Sequence, residues 1–382
     1  MKNILPLYQT YLALYLSRSE LLMFSILINL LQIHKWVRLE SLANRLPLTI
    51  KFDSRRKRLQ RFLSLKVLDV EKIWFPLVKE ILNIFYCPED ILYLVMDRTQ
   101  WNTINIFMVS LIYKNRALPI YFQLLDKKGS SSVTEQIEIL SKIMPLFKNY
   151  KKVILGDREF CGVGLAKWLK DKGEADFVLR IKKNEYFQEK GEWNSLKDLG
   201  LRRGMSLYFE GVKVTKSQGF GDFNIVAKWK RTYRGKKSKE PWFLLTNINS
   251  WSQTISAYKK RMGIEEMFRD FKKGGYNLEA TQLEGKRLLS LLLLITFAYT
   301  QATLSGDNLQ SKGVANYVGR PKEAKRQTRR HSRFYLGLHG QDWLDSIDIF
   351  AKEVEELVSL SPQKRRYYQR GRRAASLIQS AF

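Results

Sequence analysis

Two aspartates close two strongly apolar runs. Asp97 ends the run Ile91-Leu92-Tyr93-Leu94-Val95-Met96, and Asp157 follows the shorter run Lys152 to Gly156. Each leads into an arginine, in Asp97-Arg98-Thr99 and Asp157-Arg158-Glu159. Continuous apolar runs of this kind read as buried strands, and α/β sheets place their sites at strand ends. Carboxylates delivered from separate strands suit Mg²⁺, which takes few protein oxygens and keeps positions for water and phosphate. Two such ions could activate a water on one side of a phosphate and stabilise the leaving oxygen on the other. An aspartate after a strand is also an ordinary turn residue, so neither position decides the matter alone.

A third carboxylate comes from a segment of different period. Residues 255–273 carry a helical pattern, and on it fall Tyr258, Arg261, Glu265 and Lys272 at successive offsets of 3, 4 and 7. Those offsets predict one helix face bearing a phenol, a guanidinium, a carboxylate and an ammonium. Glu265 can join the aspartates at a metal site. Arg261 can fork onto a phosphate, and Lys272 can serve as a point charge. A solvated helix with ion pairs at i, i+4 would show similar offsets. Glu159 and Glu266 are rival carboxylates; Glu266 points about 100° away from Glu265 around a helix. The spacing selects Glu265, which leaves the other two as supporting partners.

The elements that must position these groups follow from periodicity. Residues 1–88 read as helices, with apolar residues recurring at three and four in Leu21, Leu22, Ile26, Leu27, Leu30 and Leu31. Two short helices around Pro47, the second preceded by Arg55, Arg56, Lys57 and Arg58, fit a helix-turn-helix on phosphates and equally a helical bundle with a solvated basic face. Strands are expected at 91–96, 103–113 and 117–125, the last two joined by a hairpin at Lys114-Asn115-Arg116. A helix at 132–147, a strand at 152–156, a helix at 163–172 and a strand at 176–182 follow. That order predicts a mixed α/β sheet over residues 89–182. Residues 183–250, with strand-like runs at 206–214, 223–230 and 242–248 and polar turns such as 234–239, read as a β-rich insertion. Helical signals return at 253–273 and 284–304, so residues 251–304 read as the second part of the core begun at 89–182, and residues 305–382 form a basic, partly helical region.

Composition limits the function classes. The 382 residues hold 66 Lys plus Arg and 37 Asp plus Glu, so the net charge is 66 − 37 = +29. Such an excess must face a negative partner, nucleic acid first and an anionic membrane surface second. Two cysteines, Cys87 and Cys161, and three scattered histidines give neither a disulfide framework nor zinc-ligand spacing, which points to a reducing compartment. The apolar run Leu288 to Thr300 is shorter than the roughly 20 residues of a span and reads as a buried helix. The stretch Ile4 to Leu16 faintly resembles a signal peptide, but Gln9 interrupts it and no small-residue cleavage site follows. A cytoplasmic protein that works on DNA or RNA, with no membrane partner, is the expectation.

Tyr258-x2-Arg261-x3-Glu265-x6-Lys272 resembles the signature of a large subgroup of bacterial insertion-sequence DDE transposases. Asp97-Arg98-Thr99-Gln100-Trp101 resembles the segment of that family's first aspartate, and Leu124-Leu125-Asp126-Lys127-Lys128-Gly129 its hairpin end. Asp157-Arg158-Glu159-Phe160 resembles the second-aspartate segment, and Arg180-Ile181-Lys182-Lys183-Asn184 the strand after it. The resemblance runs over roughly 90–300 with the motifs in order. It implies a ribonuclease-H-like mixed-sheet catalytic core with a β-rich insertion, between helical N-terminal and C-terminal regions. It implies that Asp97, Asp157 and Glu265 hold two Mg²⁺ ions, with Mn²⁺ able to substitute. It implies an enzyme that binds the terminal inverted repeats of its element as a homodimer in a synaptic complex. The enzyme would hydrolyse the strand at each end, in some members through a hairpin, and join the 3′ hydroxyls to double-stranded target DNA. Tyr258, Arg261 and Lys272, with Arg180 and Lys182, would contact that DNA. Trp229 would stack on a flipped base. A catalytically inactive or repurposed DNA-binding relative is the alternative, and the three acidic positions favour the enzyme.

Other features remain open to several readings. Trp193, Trp229 and Trp242 are interleaved with Lys228, Lys230 and Arg231, a pattern that suits base stacking but also an ordinary β core. The basic tail, with Arg326, Arg329, Arg330 and Arg333 and again Lys364 to Arg373, fits a solvated charge run, a DNA clamp or an arm toward a second subunit. Between them, Leu344, Ile347, Phe350, Ala351, Val354, Leu357 and Val358 predict one acidic helix with an apolar face.

Overall fold

The computed structural model describes residues 6–217, 219–232, 238–326 and 329–382. Ile4 and most of the turn expected at 234–239 lie outside them. The chain forms two compact units, one of Trp74–Arg269 and one of Met1–Ile73 with Asp270–Phe382.

The unit Trp74–Arg269 is built on one ten-stranded mixed sheet. Its first three strands, β1 (Ile91–Trp101), β2 (Ile104–Tyr113) and β3 (Arg116–Leu124), form an antiparallel meander. Lys114 adopts the left-handed backbone at the β2–β3 turn, with φ 56°. The helix Val133–Ile143 then carries the chain to β4 (Lys151–Gly156), which runs parallel to β1. Its start is fixed by a capping box, in which Ser132 and Glu135 satisfy each other's backbone N–H groups. The helix Val163–Asp171 leads to β5 (Asp176–Arg180), parallel to β4. The order β3-β2-β1-β4-β5 with this polarity is the ribonuclease-H-like core.

The β-rich insertion continues the same sheet. β6 (Tyr186–Glu189), β7 (Glu192–Ser195), β8 (Ser206–Val214), β9 (Phe220–Lys228) and β10 (Trp242–Thr246) follow, and β10 pairs antiparallel with β5. The sheet therefore runs on as β5-β10-β9-β8-β6-β7. Phe177 of β5 packs edge-on against Phe223 of β9 at 5.9 Å, so the two stretches share apolar packing as well as backbone bonds.

The continuous helix expected at 255–273 is broken. Trp251–Lys260 and Met262–Phe271 are separate helices with Arg261 between them. Gly263 sits at the start of the second. A Cβ there would meet Ile112 Cδ1 at 2.9 Å and the Ala117 amide nitrogen at 3.4 Å, so glycine lets the helix approach the β2–β3 turn closely. The expected helix–strand order is otherwise present, with the hairpin β6–β7 added.

In the second unit the helix Gly285–Ser311 is central and buried along most of its length. It is long and apolar enough to cross a membrane, and 94% of its most apolar stretch is buried in the protein. Ser290, Thr296, Thr300, Gln301 and Thr303 are buried along it among the leucines. The helix Arg333–Ile349 crosses it backbone against backbone, which Gly306 and Gly337 permit by lacking side chains. Tyr8 and Phe24 pack edge-on against Phe297, Phe271 packs edge-on against Tyr299, and Phe334 lies tilted against the same ring. The two helices expected around Pro47 are Leu39–Arg45 and Phe52–Leu63. The acidic tail helix expected as one piece ends at Ile349 and restarts as Ala351–Ser359, which buries none of its residues.

Candidate active site

Register brings the two aspartates together. β1 and β4 pair in parallel from Ile91↔Lys151 to Met96↔Gly156, and the ladder stops there. Asp97 is the next residue of β1, and Asp157 is the first residue past β4. The long β1 does not end at Asp97 as its apolar run predicts; it continues to Trp101 on β2, with Asp97 opposite Met108. The site therefore lies where the parallel ladder ends rather than where β1 ends. Gly156 is needed at this point, since a Cβ would meet Phe160 Cβ at 2.8 Å and Leu179 Cδ2 at 2.9 Å.

The third carboxylate arrives through Arg261. Its Nη1 lies 3.4 Å from Asp97 Oδ2 and 3.9 Å from Asp157 Oδ2, and its Nη2 donates to Glu265 Oε1. One guanidinium thus gathers Asp97, Asp157 and Glu265. Arg261 is only 7% exposed. It stands at the break between the two helices, its amide donating to Tyr258 O at 3.1 Å, and the Tyr258 ring lies 5.9 Å from the guanidinium carbon. Trp242 of β10 packs edge-on against Tyr258 at 4.9 Å.

Burial pushes the Asp97 carboxyl up to about 6. Arg261 and the Arg98 amide act against that rise, while the charges of Asp157 and Glu265 add to it. The Arg98 amide donates to Asp97 Oδ1 at 2.7 Å. Asp157 also caps the short turn after it by accepting from the Glu159 amide at 3.2 Å.

A second network ties the two aspartate segments from behind. Arg98 Nε donates to both carboxylate oxygens of Glu159, at 2.9 and 3.0 Å. Its Nη1 donates to Gln100 and Asn105, and Asn105 in turn donates to the carbonyls of Lys127 and Gly129. The Ser131 amide donates to Glu159 as well. Glu159 is thus committed to structure, and Glu266 pairs with Arg116 and Arg269. Only the first of the two Asp-Arg arginines joins this network, since Arg158 bonds Glu240, and the pairing of Arg98 with Glu159 was not readable from the sequence.

A family model described as "Transposase DDE domain" matches residues 97–300, more than half of the chain. The chain belongs to the DDE transposase family. The match starts at Asp97 and encloses Asp157 and Glu265. Among solved structures, the transposase is similar to a piggyBac transposase in a cryo-EM synaptic complex with hairpin DNA. The identity is 15%, 98% of this chain and 81% of that one are covered, and the TM-score is 0.47. No curated protein sequence matches the transposase.

The residues expected on DNA fall in different settings. Tyr258 is buried, 3% exposed, and burial raises its phenol against the opposing charges of Arg261 and Arg180. Lys272 lies just past the end of the helix Met262–Phe271 and pairs with Glu279 at 2.8 Å. Arg261 touches both Tyr258 and Glu265, so those three lie on one side, and Lys272 stands beyond the helix end. Arg180 is largely buried and bonds Glu240 at 3.0 Å, and Lys182 is exposed. Trp229 is half-buried, donates its indole N–H to Ser238 O at 3.4 Å, and carries the Arg203 guanidinium over its ring at 5.3 Å. A cavity of about 340 Å³ is lined by Arg158, Arg180, Lys183, Lys197, Trp229 and Glu240. Cations also cover two nearby tryptophans, Lys230 over Trp242 at 3.9 Å and Lys228 over Trp251 at 4.8 Å.

The donor types at the cluster suit a hard divalent ion, since two aspartates and a glutamate offer only carboxylate oxygens. A cation already sits among them, the Arg261 guanidinium. As they stand, no three His, Cys, Asp or Glu side chains among the described residues are grouped closely enough to hold one ion.

Proposed function

We propose that the chain is a bacterial insertion-sequence transposase of the Tyr-(2)-Arg-(3)-Glu-(6)-Lys subgroup. It binds the terminal inverted repeats of its element, hydrolyses the strand at each end and joins the 3′ hydroxyls to target DNA. It works on the bacterial nucleoid as a homodimer in a synaptic complex. The observation that carries this reading is the register of Met96 with Gly156, which sets Asp97 and Asp157 side by side, with Glu265 drawn to them through Arg261.

Asp97, Asp157 and Glu265 would hold divalent ions, Mg²⁺ or Mn²⁺. When bound, such ions activate the attacking oxygen and stabilise the leaving one in phosphoryl transfer. The chain's own residues do the rest. The Arg98 amide and the Glu159 amide orient one oxygen of each aspartate, at 2.7 and 3.2 Å. The Arg98–Glu159 pair fixes the two strand ends relative to each other. The basic cavity with Arg158, Lys183 and Lys197 beside Trp229 supplies phosphate contacts and an aromatic face for an unpaired base.

Asp157→Asn tests the chemistry apart from binding. It keeps the side chain's size and removes one negative ligand. Cleavage and strand transfer should fall together by several orders of magnitude, because both steps use the same ions. Binding to terminal-repeat duplex should persist or tighten, since a negative charge near phosphates is gone. Gel shift and cleavage of one labelled duplex, with Mg²⁺ or Mn²⁺, read both properties. Full cleavage by the variant would remove Asp157 from the site. Wild-type protein that binds the repeats but neither cleaves nor joins would favour a repurposed DNA-binding relative instead.

A further inference from the structure

Three carboxylates that could serve a divalent ion are instead bound to one guanidinium. Arg261 Nη1 lies between Asp97 and Asp157, at 3.4 and 3.9 Å from one oxygen of each, and Nη2 is on Glu265. A divalent ion held by these carboxylates and the Arg261 guanidinium would be two cations drawing on one set of oxygens.

We propose that Arg261 is the resident cation of the metal-free site and the gate to metal entry. The guanidinium and a divalent ion exclude each other at the three carboxylates. This rests on the reading of Asp97, Asp157 and Glu265 as the metal ligands. Two observations support it. Arg261 is 7% exposed, so it is a built part of the site and not a surface side chain that has drifted in. The other arginine near the aspartates, Arg98, is turned toward Glu159, Gln100 and Asn105 and reaches Asp97 only through its amide. Among the described residues, Arg261 is the cation that ion-pairs with all three carboxylates.

Two consequences follow. Without metal, the guanidinium relieves the repulsion among three clustered anions and keeps the site assembled. With metal, binding is weakened by the fraction of molecules in which Arg261 is in place, because only the open fraction can load.

The test uses full-length, metal-stripped protein without DNA. Mn²⁺ affinity is read by calorimetry and thermal midpoints by near-ultraviolet circular dichroism, for wild type, Arg261→Gln, Arg261→Lys and Asp157→Asn. If the open fraction is about a tenth, Arg261→Gln should bind Mn²⁺ about tenfold more tightly than wild type. Its metal-free midpoint should fall by several degrees, and saturating Mn²⁺ should restore it. Arg261→Lys keeps the charge on a single nitrogen that cannot span three carboxylates, so its affinity should lie between the two. It also carries the test if the Gln variant does not fold, since affinity equal to wild type would then overturn the gate. Unchanged or weaker Mn²⁺ binding by Arg261→Gln, with Asp157→Asn losing it, overturns the gate and leaves the metal reading standing. Absence of Mn²⁺ binding in wild type and in a folded Arg261 variant overturns both, because a site freed of its competitor should load. Binding that survives Asp157→Asn places the ion elsewhere and also overturns both.

Discussion

Arg98 and Glu159 carry opposite charges immediately beside the two aspartates, and they are spent on each other. Their side chains are 16% and 17% exposed. A pair that is mostly out of water binds firmly once formed, and breaking it leaves a charge without its partner, at a cost of up to about 3–5 kcal/mol when burial is complete. Glu159→Gln should therefore lower stability by about 1–3 kcal/mol at this partial burial. It should also depress cleavage, by letting the Asp97 and Asp157 segments move relative to each other. Thermal unfolding alongside a cleavage assay checks both; a variant with wild-type midpoint and rate would mean that the pair positions nothing. At this scale the sequence was most informative. Asp97 and Asp157 were legible because an apolar run followed by an acid is a local pattern. Glu265 was legible from its spacing. The partner of Arg98 was not, because Glu159 lies 61 residues away and only the fold brings the two together.

The helix that carries Arg261 and Glu265 shows why element boundaries are harder to read than element types. The helical period runs across residues 255–273, yet one helix ends at Lys260 and the next starts at Met262, an interruption that propensity alone does not locate. Gly263 marks a close helix–hairpin approach, with Ile112 Cδ1 at 2.9 Å and the Ala117 nitrogen at 3.4 Å from where a Cβ would stand. Gly263→Val forces the helix Met262–Phe271 off the β2–β3 turn. Overpacking of this kind costs about 1–3 kcal/mol. Because Glu265 rides on the same turn of helix, cleavage should fall further than stability alone explains. Cleavage measured well below the unfolding midpoint separates the two effects, and a loss confined to stability would show that the helix position is not critical to Glu265. The hairpin β6–β7 was missed for another reason. Its four-residue strands are too short and polar to stand out. Its turn signal was present in Lys190-Gly191, which adopts φ 50° and 90°, the paired positive φ of a two-residue hairpin loop.

At the scale of the whole molecule, strand order was beyond local pattern. The alternation in residues 183–250 gave antiparallel strands, but it could not say that β10 would pair with β5 and extend the core sheet to ten strands. Charge, in contrast, was fully legible, since an excess of 29 is a property of composition. Its consequence is a steep salt dependence of DNA binding, because each neutralised phosphate releases condensed counterions and log K falls with a slope near −0.9 per phosphate contact. Which cations contribute is a structural question. Lys183 and Lys197 are exposed and line the basic cavity, whereas Arg261 is neutralised from within by its own carboxylates. In chelator, with no divalent ion present, Lys183→Ala combined with Lys197→Ala should reduce the magnitude of the slope by about two contacts' worth. Arg261→Gln should leave the slope where it is, since its guanidinium displaces no counterion from DNA while it is held inside the cluster. Titrations of one duplex at a series of salt concentrations measure all three slopes. An unchanged slope in the lysine double variant would turn the cavity away from DNA, and a reduced slope for Arg261→Gln would put its guanidinium on a phosphate even without metal.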